Sequence, residues 1–115
     1  MTFNRNELLY LQDIQDAINK INIFIEKMSY DEFIKDEKTQ YAVIRALEII
    51  GEASKKINQG VKEVYSELPW REMSGMRDKL IHDYFGVNTE VIWKTASEDI
   101  PNLYKKLNEI IKHFK

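Results

Sequence analysis

The chain has 115 residues, of which 43% are hydrophobic and 31% charged, with four glycines, two prolines and a formal net charge of −2. A chain of this length buries roughly two-thirds of its unfolded surface, enough for one core without covalent staples. The absence of cysteine excludes a disulfide scaffold, a thiolate metal site and a cysteine nucleophile, and the mild acidity excludes a polycation that coats nucleic acid while leaving room for a local basic cleft.

The first helix is expected over about Asn6 to Met28. Leu8, Leu11, Ile14, Ile18, Ile21, Ile25 and Met28 recur at steps of three and four, which places them on one helical stripe. Leu9, Ala17 and Phe24 widen that stripe. Ser29-Tyr30-Asp31-Glu32 reads as a break, with Ser29 or Asp31 capping a short turn that carries Phe33 and Ile34. A second long helix is expected from about Glu37 to Asn58, burying Val43, Ala46 or Leu47, Ile50, Ala53 and Ile57. Gly51 inside it costs about 1 kcal/mol relative to alanine, so close helix approach is expected there. Gly60 suits the C′ position just past the end, and Val61 to Leu68 reads as a short helical connector.

The third helix starts at Pro69 or Trp70, because proline is well tolerated at the first helical position, and runs to about Phe85 with Gly86 as the stop. Asn88 or Thr89 caps a fourth helix carrying Val91, Ile92, Leu103, Leu107, Ile110, Ile111 and Phe114. Pro101 within it predicts a kink or short break near Asp99-Ile100. The expected fold is all-α, a four-helix bundle with short connecting helices and a Pro-kinked C-terminal helix, in a single domain over residues 1–115. Phe24, Phe33, Tyr41, Met73 and Trp93 read as core. No stretch approaches the ~18 apolar residues that span a bilayer, and the opening residues to Glu7 carry no leader pattern, so a cytoplasmic protein with no membrane contact is expected.

Chemistry concentrates in Ser74-Gly75-Met76-Arg77-Asp78-Lys79-Leu80-Ile81-His82-Asp83-Tyr84-Phe85-Gly86-Val87. Arg77, His82 and Tyr84 form the pattern R-x4-H-x-Y. Asp78 and His82 are four apart and share a helical face. A carboxylate there holds the imidazole tautomer and favours its protonated form, and a nearby helix C-terminus favours a cation as well. His82 thus suits general acid–base work, and the Arg77 guanidinium matches a phosphate. Two histidines and no cysteine give little support for a metal site, so neither metal nor cofactor is expected. Positions 77 and 82 differ by about 140° around an α-helix, whereas 77 and 84 differ by only about 20°. One helix struggles to close all three side chains on one phosphate. A twofold dimer joining two such helix ends supplies two Arg and two His to one cleft.

The motif and its flanks strongly resemble the HEPN superfamily ribonucleases, and specifically the HepT toxin family of type VII toxin–antitoxin modules. Arg45-Ala46-Leu47-Glu48-Ile49-Ile50-Gly51-Glu52-Ala53-Ser54 is similar to that family's second helix. Trp70, Met73 and Gly75-Met76-Arg77 are similar to the approach to its motif; Tyr84 to Val87, Val91, Trp93 and Asp99-Ile100-Pro101-Asn102-Leu103 are similar to the family's stretch beyond the motif. The resemblance implies a HEPN-type bundle and a homodimer with a composite interfacial site. It implies a metal-independent endoribonuclease acting on RNA, with Arg77 and His82 catalytic and Asp78 supporting. It also implies that Tyr84 accepts AMP from a MntA-type nucleotidyltransferase antitoxin, and it offers Glu52 as a group steadying Arg77 across the bundle. The residues by themselves leave other readings open. Asp78 is also placed to be a simple salt-bridge partner, Glu52 an exposed helix glutamate, and Tyr84 a half-buried tyrosine. His113 reads as a solvated tail residue. Lys55, Lys56, Lys62, Arg71 and Lys79 line an RNA path or belong to solvated faces. The competing class of function is a catalytically silent helical adaptor that binds nucleotide or protein through the same interface.

Overall fold

The computed structural model describes the backbone of residues 5–81 and 88–114 and the side chains of residues 6–76 and 88–114. Its helices are α1 (Arg5–Phe24), α2 (Tyr30–Ile34), α3 (Glu37–Lys56), α4 (Gln59–Val64), α5 (Trp70–Ile81), α6 (Thr89–Lys94) and α7 (Ile100–Phe114), with a π-turn at Thr95–Asp99 joining the last two. No strand occurs among the described residues.

The apolar stripe of α1 is its buried side: Leu11, Ile14, Ile18 and Ile21 are fully buried. The helix stops at Phe24, about a turn before the expected Met28. Lys27 has φ 60°, the left-handed conformation that commonly terminates helices. Ile25 and Met28 therefore pack on the core from the turn and not from the helix. Ser29 then caps α2 with a complete capping box. Its hydroxyl accepts the Glu32 N–H at 3.2 Å, and its own N–H donates to Glu32 Oε1 at 2.9 Å. Buried Phe33 meets Trp93 of α6 at 5.2 Å between ring centroids, which pins the short helix to the bundle.

Asp36 starts α3 by accepting the Thr39 N–H at 3.0 Å and the Thr39 hydroxyl at 2.7 Å. The helix packs against α1 and against α5. Gly51 lies buried in this doubly packed stretch, beside Leu47, Ile50 and Ala53. α3 ends at Lys56, and Asn58 caps α4 by accepting the Val61 N–H at 2.9 Å. Gly60 is therefore inside α4, not at a C′ position: the asparagine cap restarts the helix before the glycine is reached. Glu7 of α1, only 5% exposed, accepts the Asn58 N–H at 3.0 Å and ties this corner to the start of the chain.

The disturbance expected near Pro101 takes the form of the π-turn. Ile100 N–H donates to the Thr95 carbonyl five residues back, just before a proline that has no N–H to give. In an α-helix, residues four apart drift by about 40° per step. The wider turn absorbs this drift, so Ile92, Ala96 and Ile100 are all buried. Leu9, expected to widen the buried stripe of α1, is 44% exposed, and two expected core residues are not core. Tyr41 is 62% exposed, because it lies two residues from buried Val43 and so on the opposite side of α3. Phe24 is 36% exposed at the last position of α1, where its neighbours run out. Phe33 and Met73 are fully buried, and Trp93 is half-buried.

α1 also packs against α7, so α5, α3, α1 and α7 succeed one another around an all-α bundle. Close packing covers three of the four seams. Along the fourth, between α5 on one side and the π-turn with α7 on the other, the described residues leave a cleft.

Candidate functional site

The direction of α5 is set by its first half. Trp70 is buried, and its indole N–H donates to the Tyr65 carbonyl at 3.0 Å. Met73, one turn on, is fully buried, and its N–H donates to the Pro69 carbonyl at 2.9 Å. Two anchors one turn apart fix both the axis and the rotation of the helix, and hence the face on which each later position stands.

Arg77 and Asp78 belong to the C-terminal half of α5 by their backbone, and their side chains lie outside the described residues. His82 and Tyr84 lie outside the described residues altogether. Glu52 is half-buried on α3, and its ion-pair partner among the described residues is Arg45 of the same helix, at 4.0 Å. Arg45 is shared with Glu48 at 3.7 Å and is largely exposed, so this network is weak. His113 is exposed at the end of α7. Among the described residues no three His, Asp or Glu side chains come together as a metal set.

The cleft in the open seam has a volume of about 370 Å³ and is lined by Arg71, Glu72, Gly75, Met76, Thr95 and Asp99. A lobe of about 280 Å³ extends it toward Asn102 and Lys106 of α7 and shares Glu72, Met76 and Asp99. On α5, positions 71, 75 and 78 are separated by steps of four and three. The backbone of residue 78 therefore continues the cleft-facing row into the motif segment. Carboxylates and cations thus alternate along a groove whose α5 wall runs directly into the motif. In the sequence, Arg71 stood out only within a scatter of basic residues and Asp99 only at the expected kink and in the stretch resembling the family, while neither Glu72 nor Thr95 was read as lining a site. The one further signal was Gly75, a glycine in mid-helix that no packing neighbour among the described residues requires: a Cβ built there meets nothing within 4 Å. Thr95 and Asp99 gave no such signal, because only the π-turn presents them to α5.

No solved structure matches the chain at a significant level. Curated sequences do. "Probable ribonuclease HepT" of Thermococcus cleftensis is 55% identical over 103 residues, 90% of this chain and 94% of that protein. Two proteins of Methanocaldococcus jannaschii, named "Putative RNase MJ1216" and "Putative RNase MJ0125", are 47% and 48% identical over 103 residues, covering 90% of this chain and 85% and 89% of their own lengths. The family model described as "Ribonuclease HepT-like" matches residues 14–110, from the first buried turns of α1 to the last of α7, with the Arg77-to-Tyr84 segment inside the match. With an all-α, HEPN-type bundle beneath that continuous match, the chain belongs to the HepT-like ribonuclease family.

Proposed function

We propose that this chain is a metal-independent endoribonuclease, the toxin of a type VII toxin–antitoxin pair, working in the cytoplasm as a homodimer of one helical domain per chain. The observation that carries the reading is the ribonuclease-family match over residues 14–110, with Arg77, His82 and Tyr84 all present in the sequence inside it. His82 takes the proton of a ribose 2′-OH. The 2′-oxygen bonds to the adjacent phosphorus, the bond from phosphorus to the 5′-oxygen breaks, and that oxygen takes a proton from a His82 imidazolium and leaves as a 5′-OH. The other product is a 2′,3′-cyclic phosphate. Arg77 stabilises the charge that develops on the phosphate, and Asp78 orients the imidazole. A MntA-type nucleotidyltransferase silences the enzyme by moving AMP from ATP to the Tyr84 hydroxyl, with pyrophosphate leaving. The added bulk and negative charge beside Arg77 repel an RNA phosphate.

Purified, unmodified protein incubated with total RNA and tRNA in EDTA is expected to yield cyclic-phosphate ends. His82→Ala is expected to slow that cleavage by ~10² to 10⁴. Cleavage by His82→Ala at the wild-type rate removes the histidine from the mechanism. Coexpression with the partner nucleotidyltransferase is expected to leave an AMP adduct on Tyr84 by mass spectrometry; a Tyr84→Phe protein that is still neutralised by AMP addition excludes that hydroxyl.

A further inference from the structure

We propose that the open seam beside α5 seats one nucleobase of the RNA, and that it selects guanine. This rests on the ribonuclease reading above and adds a specificity site outside the motif. The first argument is position. Gly75 precedes Asp78 by three residues, a rise of about 4.5 Å along the helix. A base seated in the cleft therefore belongs to a nucleotide next to the linkage that meets the motif. At about 370 Å³, the cleft has room for a purine ring.

The second argument is Gly75. Helix interiors disfavour glycine, and among the described residues neither a packed neighbour nor a left-handed backbone calls for one here. A bare backbone in a cleft wall admits the close approach of a flat ring, which any side chain obstructs. Half-buried Met76 supplies apolar surface beside it.

The third argument is charge. Glu72 on α5 and Asp99 on the π-turn face the cleft from its two walls, with Arg71 and Lys106 beside them. None of the four makes an ion pair among the described residues. Guanine has two adjacent donors, N1–H and the N2 amino group, that a carboxylate accepts together, and two acceptors, O6 and N7, that a cation matches. Uracil flanks its single N–H with two carbonyls, which a carboxylate repels. Adenine offers one amino group beside an acceptor nitrogen.

The test uses the His82→Ala protein and fluorescent tetranucleotide RNAs in a uridine background, with guanine, adenine or cytosine placed at each position in turn. One position is expected at which guanine binds roughly tenfold to a hundredfold more tightly than uracil. Asp99→Asn, Glu72→Gln and the cleft-filling Gly75→Leu are expected to abolish that difference with the helical circular dichroism unchanged. Asp99→Asn, at an exposed position, decides the matter should Gly75→Leu fail to fold. Wild-type protein on the same RNAs is expected to cut at one fixed step from the guanine. Absence of binding, equal binding of all bases, or a preference untouched by Asp99→Asn overturns the seat, even where RNA is cleaved. A guanine preference that responds to these variants, in a wild-type protein that cuts nothing, leaves the seat standing and overturns the ribonuclease reading.

Discussion

Gly51 and Gly75 both interrupt helices, where glycine costs about 1 kcal/mol against alanine, but their surroundings differ. Gly51 is buried on a helix packed on two sides, whereas the Cβ direction of Gly75 points into open space. Gly75→Ala is therefore expected to stabilise the protein by about 1 kcal/mol, raising the thermal midpoint by a few degrees. A lowered midpoint by circular dichroism shows that the cleft wall is tighter than it looks. The close packing at Gly51 was expected from its place inside a helical stripe, whereas the open surroundings of Gly75 were not legible, because exposure at a glycine leaves no trace in its own identity. Arg77, His82 and Tyr84 were legible for the opposite reason: their functional groups are rare and closely spaced, and their pattern survives without any knowledge of packing.

A side-chain cap sets where both a short and a long helix begin. α2 has only five residues and opens on the Ser29–Glu32 box, while α3 opens on Asp36. Backbone and side-chain hydrogen bonds from Ser29 hold the Glu32 carboxyl below its ordinary range. The Thr39 hydroxyl, and then its N–H, do the same for Asp36. A carboxyl whose folded pKa is depressed contributes fully above its unfolded value, and that contribution is lost as pH falls through the folded one. Thermal midpoints are thus expected to fall on acidification through the carboxylate range. Asp36→Asn, which keeps an acceptor but removes the charge, is expected to flatten its share of that slope. An unchanged acid limb in the variant refutes the assignment. The Ser29 cap was readable as a serine before an apolar pair, whereas the Asp36 cap and the π-turn came only from the structure. Proline announces a disturbance, but the side on which helix packing needs extra width decides its form.

At the scale of the molecule, the order α5, α3, α1, α7 leaves one seam without close helix packing among the described residues, beside the helix that holds the backbone of Arg77 and Asp78. The proposed homodimer draws Arg77 and His82 into one cleft from two protomers. Arg77→Ala and His82→Ala, each inactive alone, are expected to regain RNA cleavage when unfolded together and refolded as mixed dimers. Such a dimer retains one intact pairing of an arginine from one protomer with a histidine from the other. No recovery in a mixture shown to contain heterodimers places both groups within one protomer and overturns the composite site.

Helical period, capping residues and a dense polar motif are properties of neighbours in the chain, so the sequence alone determined the all-α class, the starts of most helices and the residues proposed for chemistry. Family membership came from the same local order, continuous over residues 14–110. Tertiary structure decided what depends on distant partners. It buried Phe33 but exposed Tyr41, tied Glu7 to a backbone N–H far along the chain, and set Asp99 across from Glu72. Those outcomes depend on which helix faces are covered and which seam stays open, a balance of packing among all the helices that no local pattern encodes.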